Sequence, residues 1–194
     1  MEWIDERKIK LRKPLNELDK FVLRFVKILE KYTGYVIISG YVSILLGRSR
    51  GTEDVDMFVK EIDKEKFIQF YRELKEKGFW CLNAESDDEV YRYLEEGMAI
   101  RFAERGEVIP NIEFKFAKKL LDLESFNDFI EVETEGGRLK VSSLERQIAF
   151  KKYYLGSEKD LEDAKHLEEI FKGKIDMEKI KKYKRLIDLE HGKT

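Results

Sequence analysis

Apolar residues recur along the chain with two different periods, which predict alternating helices and strands. After Pro14, apolar positions spaced three and four residues apart predict an amphipathic helix that Gly34 ends. Residues 35–38 are β-branched or aromatic and predict a buried strand, which a short helix at residues 41–46 follows. Apolar and polar residues then alternate at residues 55–59, and this period of two predicts a second strand.

The remaining pattern continues in the same way as far as the C-terminal region. It predicts a helix at 63–77, a strand at 79–82, helical turns at 88–94, strands at 98–103 and 109–116, a hairpin at 129–134 and 138–141, and helices at 144–155, 161–171 and 175–189. The order of these helices and strands predicts an α/β (α+β) fold with two parts. Residues 1–142 form an α/β domain that includes the N-terminal helix, and residues 143–194 form a helical C-terminal region packed on it.

Composition narrows the class of protein. Charged residues make up 40% of the chain and hydrophobic residues 42%, but the net charge is only −2, which excludes a strongly basic nucleic-acid coat protein and an acidic tail protein. No apolar run approaches the roughly 18 residues of a membrane span, and the charged N-terminus has no signal-peptide pattern. We therefore expect a cytoplasmic protein with no membrane partner. Scarce Gln, Asn and Pro beside abundant Lys and Glu are typical of thermophilic proteins.

The near-neutral total hides an uneven distribution of charge. Residues 35–142 carry sixteen basic and twenty-three acidic residues, whereas the segments on either side are net positive. An acidic middle segment is compatible with a solvated surface and with carboxylates gathered around a cation.

Asp54 and Asp56 lie two residues apart in the second predicted strand, so their carboxylates project from the same face. Two adjacent carboxylates repel each other unless one is protonated or a cation lies between them. Mg²⁺ prefers oxygen ligands of this kind and leaves positions free for phosphate oxygens. A solvated strand edge would show the same pair.

Glycine and basic residues precede this pair. Ser39 and Gly40 lie between the first strand and the short helix, where backbone N–H groups can approach a phosphate. Arg48 and Arg50 lie in the loop that leads to Asp54, and they place positive charge beside the predicted cation site.

Ser39-Gly40, Gly47, Arg50, Thr52 and the Asp54–Asp56 pair together resemble the signature of the DNA polymerase β-like nucleotidyltransferase superfamily. The spacing from Gly47 to Asp56 is similar to that of the branch with the AbiEii toxins and related archaeal nucleotidyltransferases. The resemblance implies a mixed β-sheet flanked by helices and a requirement for Mg²⁺ (or Mn²⁺). It also implies transfer of a nucleoside monophosphate from a nucleoside triphosphate, with Ser39, Gly40, Arg48, Arg50 and Thr52 near the nucleotide.

Family members often carry a third carboxylate on a later strand, and Glu113 is the best match here. It alternates with Ile112 and Phe114 and therefore faces the same side as Lys115. The resemblance implies that Glu113 completes the metal site or acts as a base, with Lys115 near the nucleotide. An ordinary Glu–Lys pair on an exposed strand face is the alternative.

The run from Lys151 to Asp163 resembles a lysine followed by a Lys/Arg-Asp-x-x-Asp element of AbiEii-like proteins. The resemblance implies that Lys151 or Lys152 reaches the triphosphate and that Asp160 and Asp163 support the site. The same residues are compatible with a helix that Ser157 caps.

Three functions remain compatible with the sequence. The first is a nucleotidyltransferase acting on an RNA end, a protein hydroxyl or a small molecule, or serving as a toxin–antitoxin component with RNA or a cognate antitoxin protein as partner. The second is a catalytically silent binding module with the same fold. The third is a metal-dependent nuclease using Glu113 and Lys115, which needs an upstream aspartate on a neighbouring strand, whereas Asp87 and Asp88 lie in a helix-like stretch.

Overall fold

The computed structural model describes residues 1–192, and in this range nine strands form one mixed sheet flanked by eight α-helices. The strands are β1 (Glu2–Asp5), β2 (Lys8–Lys10), β3 (Tyr35–Ile37), β4 (Asp54–Val59), β5 (Phe79–Cys81), β6 (Ile100–Glu104), β7 (Asn111–Phe116), β8 (Phe129–Thr134) and β9 (Gly137–Ser142). The α-helices are α1 (Glu17–Leu29), α2 (Gly40–Leu45), α3 (Lys64–Glu76), α4 (Asp87–Glu95), α5 (Leu120–Glu124), α6 (Leu144–Phe150), α7 (Glu158–Ile170) and α8 (Met177–His191). A π-helical turn, Lys151–Leu155, continues α6. None of the helices in residues 1–192 has the length and apolar character needed to cross a membrane.

The sheet has the strand order β1-β2-β8-β9-β3-β4-β7-β6-β5. At its centre, β4 pairs antiparallel with β3 and parallel with β7, and Asp56 lies opposite Glu113. Because β3 and β4 run in opposite directions, the chain leaves β3 at the edge where β4 and β7 begin. Ser39 therefore lies at the same sheet edge as Asp54 and Asp56.

The two faces of β4 and β7 have different environments because side chains alternate along each strand. Val55, Met57 and Val59 are buried on one face, together with Ile112, Phe114 and Phe116. This face packs against α1 and α3 through aromatic contacts, including Phe70 stacked on Phe114 with ring centroids 5.7 Å apart. The other face carries Asp54, Asp56, Phe58, Glu113 and Lys115, which are only partly buried.

A buried carboxylate fixes the position of α2 against α1. Asp19 accepts hydrogen bonds from the backbone of Asn16 and from the Tyr41 hydroxyl, the latter at 2.8 Å, and it forms an ion pair with Lys13 at 3.1 Å. Asn16 in turn caps α1 by accepting from the backbone N–H of Asp19, which completes a capping box. These contacts fix Tyr41, and with it the adjacent Ser39-Gly40 turn, to the N-terminal helix.

The predicted fold class is confirmed, and the predicted helices and strands match the structure apart from their exact ends. Two features lie outside the prediction: the N-terminal hairpin β1–β2, in which β2 pairs parallel with β8, and the five-residue helix α5. The alternation of Ile9 and Leu11 with lysines covers too few residues to predict a strand, and β1 places Trp3 and Ile4 next to each other. The helix predicted at 144–155 changes to π geometry at Lys151.

The division into residues 1–142 and 143–194 stays a prediction. One hydrophobic cluster includes residues of both parts, for example Val141 and Leu139 from β9 with Ile148 and Leu167 from the helices. Residues 193 and 194 lie outside the described residues.

The aromatic cluster predicts a large effect of one core truncation. Phe114 contacts five aromatic rings, so Phe114→Ala should lower the free energy of unfolding by about 3–5 kcal/mol, because the cavity cannot be filled by small movements. Urea denaturation measures this loss. The control is Phe126→Ala, since Phe126 is only partly buried beside Lys60 and should lose much less stability. Equal losses in the two variants would contradict the assignment of Phe114 to the core.

Candidate active site

A cleft of about 370 Å³ lies between the polar face of the sheet and the helices of the C-terminal region. Its floor is formed by Asp56, Phe58, Glu113 and Lys115, from β4 and β7. Its walls come from the Ser39 turn, from α5 and from α6 with its π-helical extension; they include Ser39, Leu121, Asp122, Arg146, Gln147, Phe150, Lys151 and Tyr154. Carboxylates from the sheet and basic groups from the helices therefore share one cavity.

The carboxylates of β4 and β7 are close enough to influence one another. Burial raises the pKa of Asp56 to about 6, and the negative charges of Glu113 and Asp54 act in the same direction. The Ser39 hydroxyl donates a hydrogen bond to Asp56, and this bond and the charge of Lys151 oppose the increase in pKa. Thr52 holds Asp54 by donating to its backbone oxygen at 3.0 Å and its carboxylate at 3.2 Å. Glu113 forms an ion pair with Arg101 at 3.3 Å.

This donor set fits a divalent cation bound together with a substrate. In residues 1–192, no three carboxylate, histidine or cysteine side chains come together as a complete metal cage. Mg²⁺ does not need such a cage, because it commonly binds to one or two carboxylates and takes its other ligands from water and phosphate. Burial is the main cause of the raised pKa of Asp56, and a cation between Asp54 and Asp56 would relieve the repulsion that adds to it.

The turn between β3 and α2 has a strained backbone. Ser39 has φ of 63° and ψ of −138°, a conformation that glycine adopts easily and other residues rarely do. The Ser39 side chain does not cap α2, which leaves its hydroxyl for Asp56. At Gly40 a Cβ atom would lie 2.5 Å from Nη2 of Arg50, so glycine at this position leaves room for that guanidinium directly over the turn.

Asp163 on α7 forms ion pairs with three of the predicted basic residues. Its fully buried carboxylate accepts from Arg50 at 3.0 Å and from Lys151 at 2.8 Å, and Nε of Arg48 lies 3.2 Å away. Lys151 also pairs with Asp160 at 3.3 Å. The network fixes Arg50 and Lys151 beside Ser39-Gly40, so the C-terminal helices supply the anchor for cations at the N-terminal site.

Of the two remaining predicted lysines, one lines the cleft and the other does not. Lys115 lines the cleft, whereas Lys152 pairs with Glu168 at 2.6 Å and is not among the residues that line the cleft. Sequence reasoning missed Arg146 and Asp122, which also line the cleft. Each stands in an amphipathic helical segment among other charged residues, so no sequence signal distinguishes them from surface charges.

Asp87 and Asp88, the two aspartates considered for a nuclease, lie away from Glu113 and Lys115. Asp87 pairs with Lys75 and Asp88 with Lys64, both at 2.7 Å, so α4 uses these residues to contact α3. Neither lines the cleft that contains Glu113 and Lys115.

Comparison with known proteins assigns the fold. No family model matches the sequence, and no curated protein matches it significantly. Solved structures are similar: an antigenic nucleotidyltransferase-like protein from Paracoccidioides brasiliensis has a TM-score of 0.54 at 15% identity, covering 90% of this chain and 88% of that one. The chain has a nucleotidyltransferase fold.

Two antibiotic-modifying enzymes share this fold. The lincosamide adenylyltransferase LnuA, solved with lincomycin bound, has a TM-score of 0.55 at 15% identity over 81% of this chain and 99% of that one. ANT(2")-Ia, solved with adenylyl-2"-tobramycin, has a TM-score of 0.55 at 13% identity over 90% and 97%. At these identities the likeness concerns the fold.

The raised pKa of Asp56 predicts a stability that depends on pH. Between about pH 4 and 6 the folded chain retains a proton that the unfolded chain loses, so ionised Asp56 destabilises the fold above about pH 6. Asp56→Asn should therefore raise the free energy of unfolding by about 1–3 kcal/mol at pH 7.5 and by much less at pH 4. Denaturation in EDTA at both pH values measures the difference.

The matched control for this prediction is Asp88→Asn. The hydrogen bond from Lys64 lowers the pKa of Asp88, so this substitution should act in the opposite direction and leave the chain slightly less stable at pH 7.5. A pH-independent effect of Asp56→Asn would contradict the raised pKa of Asp56 in the folded chain.

The network around Asp163 predicts a second effect on stability. Asp163→Asn should cost about 3–5 kcal/mol, because it removes the negative charge that compensates the buried ammonium of Lys151 and the two arginines. Glu168→Gln on the same helix is the control, since its partly exposed pair with Lys152 should contribute less than about 1 kcal/mol. Similar losses measured by urea denaturation would show that Asp163 is not the anchor.

Proposed function

We propose that this chain is a Mg²⁺-dependent (or Mn²⁺-dependent) nucleotidyltransferase that moves a nucleoside monophosphate from a nucleoside triphosphate to a hydroxyl acceptor. One observation carries the proposal: Asp54, Asp56 and Glu113 share one face of two paired strands, directly beside the strained Ser39-Gly40 turn. The nucleotidyltransferase fold supports it independently.

The triphosphate would lie against the turn and its cations. Gly40 leaves room for the guanidinium of Arg50 over the turn, and Arg50 and Lys151 place positive charge beside a phosphate bound there. Because Asp163 holds both cations, they lose little side-chain entropy when a phosphate binds. Arg48 reinforces the same anchor, and Thr52 orients Asp54.

Asp54 and Asp56 would hold the divalent cation. When bound, the cation would neutralise negative charge on the phosphate oxygens. The acceptor oxygen forms a bond to the α-phosphorus, and the bond from that phosphorus to the β-phosphate oxygen breaks. The proton of the acceptor hydroxyl passes to Glu113, which lies directly opposite Asp56 in the strand register. Pyrophosphate leaves with the bonding electron pair towards Arg50 and Lys151.

The finer assignment within the fold rests on sequence motifs. The segment from Gly47 to Asp56 and the run from Lys151 to Asp163 support a relationship with AbiEii-type toxins, so we propose a toxin–antitoxin component with RNA or a cognate antitoxin as partner. The antibiotic adenylyltransferases of the same fold support the alternative that the acceptor is a small molecule. Acceptor screening separates these two cases.

A catalytically silent module receives less support from the geometry. Silencing by internal ion pairs would require Arg48 or Arg50 to neutralise Asp54 or Asp56. Both arginines instead pair with Asp163, and Asp56 lines the open cleft.

Replacement of the paired aspartates tests the proposal. Wild-type protein, Mg²⁺ or Mn²⁺, and each α-³²P-labelled nucleoside triphosphate should give a labelled product when total RNA, protein extract or antibiotics are supplied. Asp54→Asn with Asp56→Asn should reduce this transfer by at least about a thousandfold, because both cation ligands are lost. Labelled acceptor and released pyrophosphate are measured together.

The double variant Asp87→Asn with Asp88→Asn is the matched control, because it removes the same number of charges outside the cleft. It should retain transfer. Undiminished transfer by the Asp54–Asp56 variant would refute the mechanism, and cleavage of RNA or DNA without triphosphate would favour a nuclease instead.

A further inference from the structure

Arg146, at the inner side of α6, is a buried cation without an ion-pair partner. It lines the cleft, is only 3% exposed, and no carboxylate oxygen in residues 1–192 lies within 4.0 Å of its guanidinium. Its Nη1 atom is buried and donates no hydrogen bond to any protein group of this range. Arg48 and Arg50 are more exposed than Arg146, at 24% and 20% of their side chains, and yet both pair with Asp163.

The surroundings of Arg146 are aromatic. Its guanidinium lies 4.5 Å from the ring centre of Phe150 and 5.7 Å from that of Tyr183, whose hydroxyl accepts a hydrogen bond from it. Cation–π contacts stabilise a guanidinium but do not satisfy its N–H groups. A buried charge with incomplete hydrogen bonding is costly, so an arginine retained in such a place requires a partner that is not part of the protein fold.

Lys115 completes the local charge pattern. It follows Glu113 by two residues on the same face of β7, lines the same cleft, and forms no ion pair within the described chain. Asp122 lies within electrostatic reach of both Lys115 and Arg146, yet neither forms an ion pair with it. Lys119 and Glu190 also line this end of the cleft and pair with each other at 3.9 Å, so three cations and two carboxylates leave one excess positive charge.

We propose that Arg146 and Lys115 form an oxyanion-binding subsite that holds a phosphate or carboxylate group of the acceptor. The assignment to the acceptor rests on the proposed function and on position. Ser39-Gly40, Arg50 and Lys151 already serve the triphosphate side, whereas Lys115 lies beyond Glu113. Same-face neighbours on a strand are roughly 7 Å apart, so the bound oxyanion lies about that distance from the carboxylate that takes the acceptor's proton.

The subsite selects acceptors by charge. A bidentate guanidinium and an ammonium bind a planar or tetrahedral oxyanion, and they repel a polycation. A nucleotide terminus with its phosphate and a small hydroxy acid with its carboxylate both meet this requirement, whereas tobramycin, a polyamine, does not.

The first test measures anion binding without any nucleotide. Thermal unfolding of the full chain is followed with increasing inorganic phosphate at constant ionic strength, for wild type, Arg146→Met, Lys115→Met and the exposed control Arg138→Met. Wild type and Arg138→Met should show a saturable increase in Tm. Arg146→Met and Lys115→Met should bind phosphate at least about tenfold more weakly, because each loses a charge-assisted contact.

The phosphate-free Tm separates a binding role from a structural one. Arg146→Met should unfold at a higher temperature than wild type, since methionine fills similar space without an incompletely satisfied buried charge. No saturable response in the wild type, or an undiminished response in Arg146→Met, would overturn the subsite. Should Arg146→Met fail to fold, Lys115→Met decides alone, because Lys115 is partly exposed on the strand surface.

The second test assigns the subsite to the acceptor. With the acceptor found by labelling, Arg146→Met should raise its KM at least about tenfold and leave the KM of the triphosphate unchanged. Short RNA and a hydroxy acid are compared as acceptors, with tobramycin as the cationic counterpart. Competition between phosphate and a non-hydrolysable triphosphate at this site, or preferred transfer to tobramycin, would overturn the acceptor assignment.

Phosphate binding and nucleotide transfer can fail independently, so the subsite and the proposed function are tested separately. Asp54→Asn with Asp56→Asn must retain phosphate binding at Arg146 and Lys115, because neither aspartate contacts the proposed oxyanion. A chain that binds phosphate in this way but transfers no nucleotide would refute the proposed transferase and leave the oxyanion subsite intact.

Discussion

The pairing of β4 with β3 on one side and with β7 on the other decides where every candidate catalytic group lies. The antiparallel pair brings the end of β3 and the Ser39 turn to the start of β4, and the parallel pair places Glu113 opposite Asp56. A shift of one residue in either register would turn the carboxylates into the aromatic core. The packing of Phe114 and Val55 on the opposite face prevents such a shift, so the core sets the geometry of the site.

Electrostatics then divides the cleft into regions of opposite sign. Asp54, Asp56 and Glu113 repel one another at the floor, and this repulsion, with burial, raises the pKa of Asp56. Asp163 does the reverse and draws Arg48, Arg50 and Lys151 together beside the Ser39 turn. The carboxylate cluster suits a cation, and the basic cluster beside it is compensated by Asp160, Glu162 and Asp163.

Three features of this cleft lower the stability of the fold. The strained backbone of Ser39, the crowded carboxylates and the incompletely bonded Arg146 each cost free energy that a purely structural protein would not retain. The aromatic cluster around Phe114 and Phe25 offsets these costs on the other side of the sheet. A cation between the carboxylates and an anion beside Arg146 would relieve the second and third of these costs.

The sequence by itself determined most helices and strands and the fold class. It also determined that Asp54 and Asp56 share one strand face and that Glu113 and Lys115 share another, because strand alternation and local spacing are properties of neighbouring residues. The N-terminal hairpin was not predicted, since its strands are short and β2 joins the sheet by pairing with β8, more than a hundred residues away. Only the tertiary structure decided that Lys151 rather than Lys152 lines the cleft, that Asp163 anchors Arg50, and that Arg146 is enclosed without an ion pair. These facts depend on which face of α6 and α7 meets the sheet, and helices with charges on every side carry no local pattern that specifies it.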